Sequence, residues 1–470
     1  MDSFDLLVVG GGINGAAIAR DAAGRGLTVL LVEKDDLAAH TSSASSKLVH
    51  GGLRYLERLD FRLVRESLRE RETLLRTAPH LVRPLRFVLP DPPGGRPTWL
   101  LRAGLLLYDL LAGRSALPRS HALAADDPAA APLRPGFRLL GYWDAWTDDA
   151  RLVVLTALDA AERGAAIATR AELLSARRDG DRWIAEISGG RAVAARMIAN
   201  AAGPWVCEVM KARLGAASRS AVRLVKGSHI LVPRLWPDGH AYILQQPDGR
   251  IVFALPYGGH SLIGTTDVPV ARPEDAVVSR AEIDYLCAAA NRHFTRPTAP
   301  ADVLWSYAGV RALHDDGSKR PKDVTRDYWL ERDPAPGPAL VSVFGGKLTT
   351  ARALAEAALA KLGAGGRSWT ATSPLPGGEH GPWAFGWLPQ AMRERMAAAY
   401  GARLDRILAG AAGLADLGRH FGAGLYEAEV RYLIETEFAR TADDILWRRT
   451  KLGLEMTESD QSALRDFIGA

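Results

Sequence analysis

The chain has 470 residues, 47% of them hydrophobic and 24% charged, which is an ordinary globular composition with room for two or three domains. Lys and Arg total 59 against 54 Asp and Glu, so the net charge is +5, which favours an anionic substrate or an anionic membrane surface. The charges are interspersed, which argues against a nucleic-acid partner, and the two cysteines lack metal-ligand spacing, so we expect a reducing compartment and no metal.

The first predicted elements form a β-α-β unit over residues 4–33. "FDLLVV" is typical of a buried parallel strand, "GGGINGAAIARDAAGRG" of an Ala-rich helix, and "LTVLLVE" of a second buried strand. Gly10, Gly12 and Gly15 form the G-x-G-x-x-G pattern of dinucleotide-binding turns. The first glycine permits the tight turn, the second lets backbone approach a pyrophosphate, and the third lets helix and strand pack closely. Glu33 ends the second strand and is expected to accept hydrogen bonds from both ribose hydroxyls.

A hydroxyl-rich stretch, "HTSSASSKLVHGGLRYLE" at residues 40–57, follows the β-α-β unit. The glycine pattern fits the ADP half of either FAD or NAD. The stretch favours FAD, because an extended FAD needs a second wall for its pyrophosphate and flavin. Gly51 and Gly52 would let backbone pass close to a flat ring. The other interpretation is a serine-rich surface turn. The hydroxyl groups expected to donate to phosphate or ribityl oxygens belong to Thr41, Ser42, Ser45 and Ser46.

The remaining patterns alternate between helix and strand. Helices are predicted at about 60–80 and 148–163, strands at about 182–188 and 195–201, several short strands over 225–270, and a strand, glycine turn and helix in "ALVSVFGGKLTTARALAEAALAKLG". After a Pro- and Gly-rich stretch at 373–387, the tail is mostly helical. The order predicts an α/β, overall α+β, protein. In it, a doubly wound Rossmann-like domain is interleaved with an antiparallel-sheet domain, and a helical domain follows.

Eight motifs, taken together, resemble one family. They are "GGGINGAAIARDAAGRGLTVLLVEKDDLA", "TSSASSKLVHGGLRYLE", "KGSHI", "IGTTD", "GVRAL", "TRDY", "SVFGGKLTTAR" and "ADDILWRRTKLG", in this order between residue 5 and about residue 455. In these motifs the sequence is similar to the FAD-dependent, bacterial aerobic type of glycerol-3-phosphate dehydrogenase. The resemblance implies FAD as cofactor, oxidation of sn-glycerol 3-phosphate to dihydroxyacetone phosphate, and transfer of the electrons to a membrane quinone.

The resemblance also implies a fold and a location. The fold is like that of glycine oxidase and D-amino-acid oxidase, and the location is the cytoplasmic face of the cell membrane, to which the protein attaches peripherally. A homodimer is compatible with it. The implied domains are a discontinuous FAD-binding domain at 1–80, 140–222 and 335–372, a substrate domain at 81–139 and 223–334, and a C-terminal helical domain at 383–470.

The resemblance assigns the substrate to a set of basic and aromatic residues. Arg54, Tyr55 and Arg311 match the family's ligands for the substrate phosphate and hydroxyl groups, and a phosphate dianion favours bidentate guanidinium groups. Lys347 follows a glycine pair where a strand gives way to a helix beginning near Leu348. The helix N-terminus would face the flavin N1–C2=O edge and favour its reduction. Lys347 is expected to add positive charge there or to hold the substrate.

Histidines are the candidates for the base that takes the proton of the substrate C2 hydroxyl, because a neutral imidazole is suited to that task. His50 in "LVHGG" and His229 in "KGSHI" rank together, and His314 in "RALHDD" is a third candidate. His50 has the alternative role of packing against the flavin or orienting it.

The predicted cofactor site extends to later parts of the chain. "NAAGPW" has Ala202 where the family often has Thr, which removes a hydroxyl but keeps the small side chain that lets the strand pass the cofactor. "GVRAL" has Ala312 where proline is common in the family. The complete predicted set is Gly10, Gly12, Ile13, Asn14, Gly15, Glu33, Thr41, Ser42, Ser45, Ser46, Lys47, Leu48, His50, Ala202, Gly203, Gly345, Gly346, Lys347, Leu348 and Thr349.

The most apolar segment, "WLLRAGLLLYDLLAG" at 99–113, has two interpretations. With Arg96, Arg114 and Arg119 around it, the segment suits a helix in the membrane interface whose arginines meet lipid phosphates. It suits equally well a helix buried under the substrate domain. No run of about 18 uninterrupted apolar residues is present, so no transmembrane helix is expected. The acidic start with its short apolar run is not typical of a secretory signal.

Other functions compete with this interpretation. The nearest is a glycerol-phosphate oxidase, which performs the same half-reaction with oxygen as acceptor, and the sequence leaves it open. An amine, amino-acid or hydroxy-acid oxidoreductase on the same fold would use its arginine for a carboxylate, whereas several convergent basic groups favour phosphate. A catalytically silent flavin- or NAD-binding protein is disfavoured because Arg54, Tyr55 and Arg311 are all present.

Overall fold

The computed structural model describes residues 1–92, 97–124, 126–237, 239–315, 327–379 and 385–469, with the side chains of Arg54 and Arg58 outside this description. None of the helices in these ranges is long and apolar enough to cross a membrane. The strands, numbered in chain order, are β1 Asp2–Val9, β2 Val29–Glu33, β3 Leu48–Val49, β4 Val82–Asp91, β5 His121–Ala122, β6 Arg138–Thr147, β7 Ala166–Thr169, β8 Leu173–Asp179, β9 Arg182–Ile187, β10 Arg191–Asn200, β11 Val222–Pro233, β12 Ala241–Gln245, β13 Ile251–Tyr257, β14 His260–Gly264, β15 Val268–Pro269, β16 Trp305–His314, β17 Tyr328–Arg332 and β18 Ala339–Gly345. The helices are α1 Ile13–Gly24, α2 Phe61–Thr77, α3 Thr98–Ala112, α4 Asp149–Glu162, α5 Val206–Glu208, α6 Arg280–Asn291, α7 Ala351–Leu362, α8 Gln390–Tyr400, α9 Leu404–Ile407, α10 Glu427–Thr436 and α11 Glu458–Gly469.

The first sheet has the strand order β17-β18-β10-β1-β2-β7, with β9 and β8 added beside β10. Strands β18, β10, β1, β2 and β7 run parallel, and β17 is antiparallel to β18. Parallel strands need both faces covered, which explains the continuous apolar run of β1 and β2. Helices α1, α4 and α7 cover one face, and the β8–β9 hairpin and the segment around α5 cover the other. The predicted doubly wound domain is confirmed.

The second sheet has the order β15-β11-β14-β13-β12-β4-β6-β3, with β16 beside β11 and β5 beside β6. Its pairs are antiparallel, apart from the parallel contact of β12 with β4. Helix α6 packs on one face, and α2 and α3 pack on the other. This sheet is the predicted antiparallel-sheet domain, and the helices that follow α7 form a separate apolar cluster, the predicted helical domain.

Sheet membership differs from the predicted domain boundaries at three places. β3 and β6 were assigned to the FAD-binding domain, but they pair with each other in the second sheet. β17 was assigned to the substrate domain, but it pairs with β18 as an antiparallel edge strand of the first sheet. The chain therefore crosses between the sheets directly after the hydroxyl-rich stretch, and the other boundaries remain predictions.

Helix α3 has two different faces. Leu105 and Tyr108 are buried against the second sheet, and the Tyr108 hydroxyl donates to the buried Asp144 at 2.8 Å while it accepts the Gly51 N–H at 2.8 Å. The opposite face is apolar but open, since Trp99 is 70% and Leu110 67% exposed. The inner face of the helix covers the second sheet, as one interpretation predicted, and the membrane interpretation stays a prediction.

Candidate active site

The glycine turn after β1 shows which glycines are required by packing. Gly10 has a φ of +109°, and a Cβ on it would lie 2.6 Å from the Ala201 carbonyl oxygen. A Cβ on Gly15 would lie 1.8 Å from the Gly10 carbonyl oxygen, so this residue lets α1 pack against β1, as predicted. A Cβ on Gly12 would only approach the Ser42 hydroxyl, at 3.1 Å. Gly12 therefore leaves space open to a ligand, while Gly10 and Gly15 fix the turn itself.

Glu33 lies beside the turn at the end of β2. It accepts the N–H groups of Gly11 at 2.6 Å and Asp35 at 2.9 Å, and burial raises its pKa. Asp35 in turn is hydrogen-bonded to His40 at 2.7 Å. The Glu33 carboxylate is thus oriented by backbone donors, which suits the recognition of ribose hydroxyls.

The hydroxyl groups of the stretch 40–46 line the cavity, but they also hold the protein together. Thr41 donates to the Val310 carbonyl at 2.7 Å, and Ser42 accepts the Ile13 N–H at 3.0 Å. Ser45 donates to Asp149 at 2.7 Å, and Ser46 is hydrogen-bonded to His229 at 2.8 Å. The stretch therefore fastens the N-terminus of α1, the second sheet and α4 around one space.

The side chain of Lys47 does not lie in this space, contrary to its predicted cofactor role. Its ammonium group donates to both carboxylate oxygens of Asp149, at 2.8 and 3.0 Å, and to the Ser43 carbonyl at 3.1 Å. Both members of the pair are almost fully buried. A buried ammonium needs a charged partner, and Asp149 supplies it from the first turn of α4. Lys47 thus supports the hydroxyl-rich stretch by connecting it to α4, on the side away from the cavity.

A cavity of about 700 Å³ joins the glycine turn to the second sheet. Of the predicted residues it brings together Gly10, Gly12, Ile13, Asn14, Glu33, Thr41, Ser42, Ser45, Ser46, Leu48, His50, Tyr55, Ala202, Gly203, His229, Arg311, Gly345, Gly346, Lys347, Leu348 and Thr349. Arg54 lies in a turn at Leu53–Arg58, and its side chain is outside the described parts of the structure. The prediction for Arg54 is therefore not tested.

Lys347 lies where β18 leads into α7. Gly345 and Gly346 have φ values of +74° and +93°, and a turn at Leu348–Thr350 precedes the helix, as the predicted strand–turn–helix requires. The Lys347 ammonium group is buried and has no hydrogen-bond partner among the described residues. It lies 4.8 Å from the centre of the Tyr55 ring, and burial lowers its pKa to about 8. A buried, unpartnered ammonium facing a cavity is suited to an anionic or electron-rich ligand.

The histidines have different surroundings. His50 lines the cavity, its ring lies edge-on to Phe253 at 6.2 Å, and burial together with Lys347 and Arg71 lowers its pKa to about 3. His229 stacks on Tyr307 with ring centres 4.8 Å apart, and burial holds its pKa well below the usual range.

The third histidine candidate lies elsewhere. His314 stacks on Trp329 at 5.6 Å at the end of β16 and is not among the residues that line the cavity. The structure therefore removes His314 from the candidates for the base.

Arg311 reaches the cavity from β16. It forms an ion pair with Asp267 and donates to the Thr265 hydroxyl at 2.8 Å. A Cβ on Gly227 would collide with the guanidinium at 2.2 Å, so this glycine makes room for Arg311 on the neighbouring strand β11. Asp267 and Thr265 were not predicted as site residues, although they stand in the "IGTTD" motif.

The remaining wall of the cavity is apolar, and sequence reasoning did not predict it. It is formed by side chains of β4, β12, β13 and α3, which come from parts of the chain far apart in sequence. These residues are Leu89, Leu101, Ile243, Ile251 and Phe253, with Gln245 among them.

The fit of FAD to these residues can be judged from the cavity itself. The open space at Gly12 and the donors at the start of α1 suit a pyrophosphate. Buried atoms without partners among the described residues, the Asn14 Oδ1 and the Lys347 Nζ, face the turn between β18 and α7. A doubly wound domain with this turn, a second sheet facing it and a long shared cavity defines a flavin-dependent oxidoreductase.

Comparisons with known proteins place the chain more closely. A family model described as FAD dependent oxidoreductase matches residues 5–357, and one described as the C-terminal domain of alpha-glycerophosphate oxidase matches residues 368–469. The chain is 50% identical to a glycerol-3-phosphate dehydrogenase of Pseudomonas aeruginosa, over 99% of this chain and 95% of that protein. It is 49% identical to a D-erythritol 1-phosphate dehydrogenase of Brucella abortus, over 99% and 98%. The chain belongs to the FAD-dependent oxidoreductase family, within its glycerol-3-phosphate dehydrogenase group.

A solved structure agrees with this placement. The glycerol-3-phosphate dehydrogenase of Bacillus halodurans complexed with FAD has a similar fold, with a TM-score of 0.74 at 26% identity, over 99% of this chain and 94% of that chain. The predicted family, fold and FAD cofactor are confirmed.

Proposed function

We propose that the chain oxidises sn-glycerol 3-phosphate to dihydroxyacetone phosphate and passes the electrons to a membrane quinone. The observation that carries this proposal is the shared cavity, in which the dinucleotide turn, Arg311 and the unpartnered Lys347 ammonium face one space. When bound, FAD supplies the acceptor for the hydride that leaves C2 of the substrate. The tasks of the protein are to bind the phosphate, to take the hydroxyl proton and to exclude water.

Arg311 binds the substrate phosphate. Its ion pair with Asp267 and its bond to Thr265 fix the guanidinium plane, and a fixed fork matches two phosphate oxygens. Tyr55 and Lys347, which lie together in the lining of the same cavity, hold the polyol hydroxyl groups.

His50 is the better candidate for the base. Nε2 of the His229 ring is already hydrogen-bonded to Ser46, although its Nδ1 is not, whereas neither ring nitrogen of His50 has a hydrogen-bond partner among the described residues. A pKa of about 3 makes the free imidazole a weak base. Binding of a phosphate dianion in the same cavity raises that pKa, because a nearby negative charge favours the imidazolium form. The substrate therefore activates the group that deprotonates it.

The reaction is tested by anaerobic reduction of the bound flavin, followed at its visible absorption band. We expect rapid bleaching with glycerol 3-phosphate and none with glycerol, lactate or glycine. Bleaching by lactate or glycine, and none by the phosphate, would contradict the proposal and favour an acid or amine oxidoreductase on the same fold.

A four-carbon polyol phosphate is a second candidate substrate. It is favoured by the near-equal identity of the chain to dehydrogenases of glycerol 3-phosphate and of D-erythritol 1-phosphate. The amide of Gln245 in the otherwise apolar wall offers a donor and an acceptor for a further hydroxyl group. The same bleaching assay with both phosphates, compared as kcat/KM, decides between them.

The electron acceptor is tested separately. Reduced enzyme is mixed with air or, without air, with a short-chain quinone. We expect fast reoxidation by quinone and slow peroxide formation, and the reverse order would identify an oxidase.

Peripheral attachment to the membrane is supported by the open apolar face of α3, and the homodimer remains a prediction. Vesicles with anionic lipids are expected to bind the protein more strongly than neutral vesicles, because the protein has a net charge of +5.

A further inference from the structure

The C-terminal domain reaches into the region of the cofactor through residues 444–451, here termed the clasp. Arg449 is fully buried, and its guanidinium donates to the two carboxylate oxygens of Asp36 at 2.6 and 2.9 Å. Arg448 donates to the same carboxylate at 2.5 Å. The Asp36 carboxylate of the first domain therefore accepts three charge-assisted hydrogen bonds from arginines of the C-terminal domain.

Asp36 belongs to the segment 34–39, which connects Glu33 to the hydroxyl-rich stretch. The Ala38 N–H donates to the Gly11 carbonyl at 3.1 Å, and a Cβ on Gly11 would lie 2.9 Å from the Leu37 side chain. This segment thus packs directly behind the glycine turn. Whatever fixes Asp36 also fixes the spacing between the turn, Glu33 and the hydroxyl groups.

A second contact reaches the same region through β7. Asp444 accepts hydrogen bonds from Arg170 at 2.8 Å and from Arg448 at 2.5 Å. The Arg170 N–H donates to the Asp35 carbonyl at 2.8 Å. The clasp therefore binds the segment directly through the Asp36 side chain, and indirectly, through Arg170, at the Asp35 backbone carbonyl.

A third contact lies on the far side of the hydroxyl-rich stretch. Trp447 stacks on Trp305, with ring centres 5.4 Å apart. Lys451 is buried close to the Lys47–Asp149 pair that supports the stretch, and burial and Lys47 lower its pKa to about 8. The clasp thus binds Asp36 near the start of the segment that runs from Glu33 to Lys47 and places Lys451 close to its end.

We propose that the clasp is a positioning element for FAD: by binding Asp36 through Arg448 and Arg449, the C-terminal domain holds the wall of the cofactor site in its binding geometry. A preformed site binds tightly because less ordering is left to be done when the ligand arrives. The proposal concerns retention of the cofactor and holds for either polyol phosphate, so failure of the proposed substrate would leave it intact.

The competing explanation is that these ion pairs only dock one domain on another. The chain contains a matched control, the pair of Arg151 on α4 and Glu437 in the C-terminal domain, whose members are as deeply buried as Arg449 and Asp36. This control pair joins the same two parts of the protein, but neither member lies in the segment 34–47. Loss of Arg151 removes the ion-pair partner of the Glu437 carboxylate, and loss of Arg449 leaves Asp36 with Arg448 alone and frees the Glu437 carbonyl oxygen, so both losses destabilise the protein.

The experiment compares Arg449→Met, Asp36→Asn and Arg151→Met in the full-length chain. FAD is removed, its Kd is measured by the quenching of flavin fluorescence well below the melting temperature, and the melting temperature is recorded with saturating FAD. We expect Arg449→Met and Asp36→Asn to weaken FAD binding by at least about tenfold, and Arg151→Met to change it by less than about twofold at a comparable fall in melting temperature.

Two further variants complete the test. The double variant Arg449→Met/Asp36→Asn should bind FAD about as weakly as Asp36→Asn alone, because the Asp36 change already removes the ion pairs with both arginines. Arg449→Lys keeps the positive charge but loses the bidentate guanidinium, so it should fold more readily than Arg449→Met and give a Kd between those of Arg449→Met and the unaltered protein. An unchanged Kd in Arg449→Met and Arg449→Lys, or an equal loss in Arg151→Met, would overturn the proposal.

Discussion

Two cationic side chains that line the cavity are held in opposite ways. Arg311 is already paired with Asp267 and held by Thr265, so its position is fixed before any ligand arrives. The Lys347 ammonium is buried without a hydrogen-bond partner among the described residues. A neutralised, fixed cation recognises shape, whereas an unpaired buried cation gains most from a new negative charge. We therefore expect Arg311 to select the substrate and Lys347 to respond to it.

The largest expected effect is the loss of the cofactor. Gly12→Val should abolish FAD retention, because its side chain fills the space kept open beside Ser42, and the purified protein should be colourless. Gly12→Ala is the graded control, since its Cβ only approaches the Ser42 hydroxyl at 3.1 Å and should weaken FAD binding without abolishing it. A yellow, active Val variant would contradict the assignment of the turn.

The next largest effect is expected from removal of Arg311, the cation whose position is fixed. Arg311→Ala should raise the KM for the substrate phosphate roughly a hundredfold, which corresponds to about 3 kcal/mol, while FAD stays bound. The variant also leaves the Asp267 carboxylate to repel the phosphate. The double variant Arg311→Ala/Asp267→Asn should therefore recover part of the loss. Steady-state kinetics measure both, and an unchanged KM would refute the phosphate role of Arg311.

The two histidines extend the comparison, because His50 lies near Lys347 and His229 is hydrogen-bonded to Ser46. His50→Asn should lower kcat by roughly a hundredfold, the usual order for loss of a general base, and His229→Asn by less than about tenfold. Single-turnover bleaching of the flavin measures the chemical step directly. The opposite ranking would assign the base to His229.

The charge of Lys347 should be visible in the pH dependence of kcat/KM. The Lys347 pKa is lowered to about 8, so its positive charge is present below that pH and is lost as the pH rises through it. kcat/KM for the phosphate substrate should therefore fall above pH of about 8, since this parameter reports groups of the free enzyme. Lys347→Arg should keep the charge to higher pH, and Lys347→Met should remove this limb of the profile together with roughly tenfold of activity. An unshifted limb in the Arg variant would assign it to another group.

The smallest effect on activity is expected from a change on the open apolar face of α3. Leu110→Asp on the open face of α3 should weaken binding to anionic vesicles at least several-fold, as measured by co-sedimentation, and leave kcat with a soluble quinone unchanged. Leu174→Asp is the matched control, because Leu174 is also an exposed leucine but lies on β8 of the first sheet. Equal vesicle binding by the Leu110 variant and the unaltered protein would contradict the attachment.

The parts of the site that the sequence predicts correctly are those set by local chemistry. Gly10 and Gly345 are required by the positive φ of a local turn, and Gly15 by its close approach to Gly10, so their pattern is readable without the fold. Lys47 was misassigned because its partner Asp149 lies 102 residues away, and only the fold shows that the ammonium is already neutralised. The same reason hides the pairing of Arg311 with Asp267, 44 residues distant.

The sheet membership of β6 and β17 could not be predicted, for a related reason. β6 and β17 have strand patterns, but a pattern gives no partner, and the pairings of β6 with β4 and of β17 with β18 decide which sheet each belongs to. The apolar wall could not be predicted either, since its residues come from three strands and a helix that are adjacent only in space.

The hydroxyl of Tyr108 ties the inner side of α3 to the Gly51 N–H, one residue from His50. The apolar outer side of α3 is thereby connected to the peptide that carries the proposed base. If α3 binds lipid as proposed, a tilt of the helix would also move that peptide, and lipid packing would then affect the rate of proton transfer.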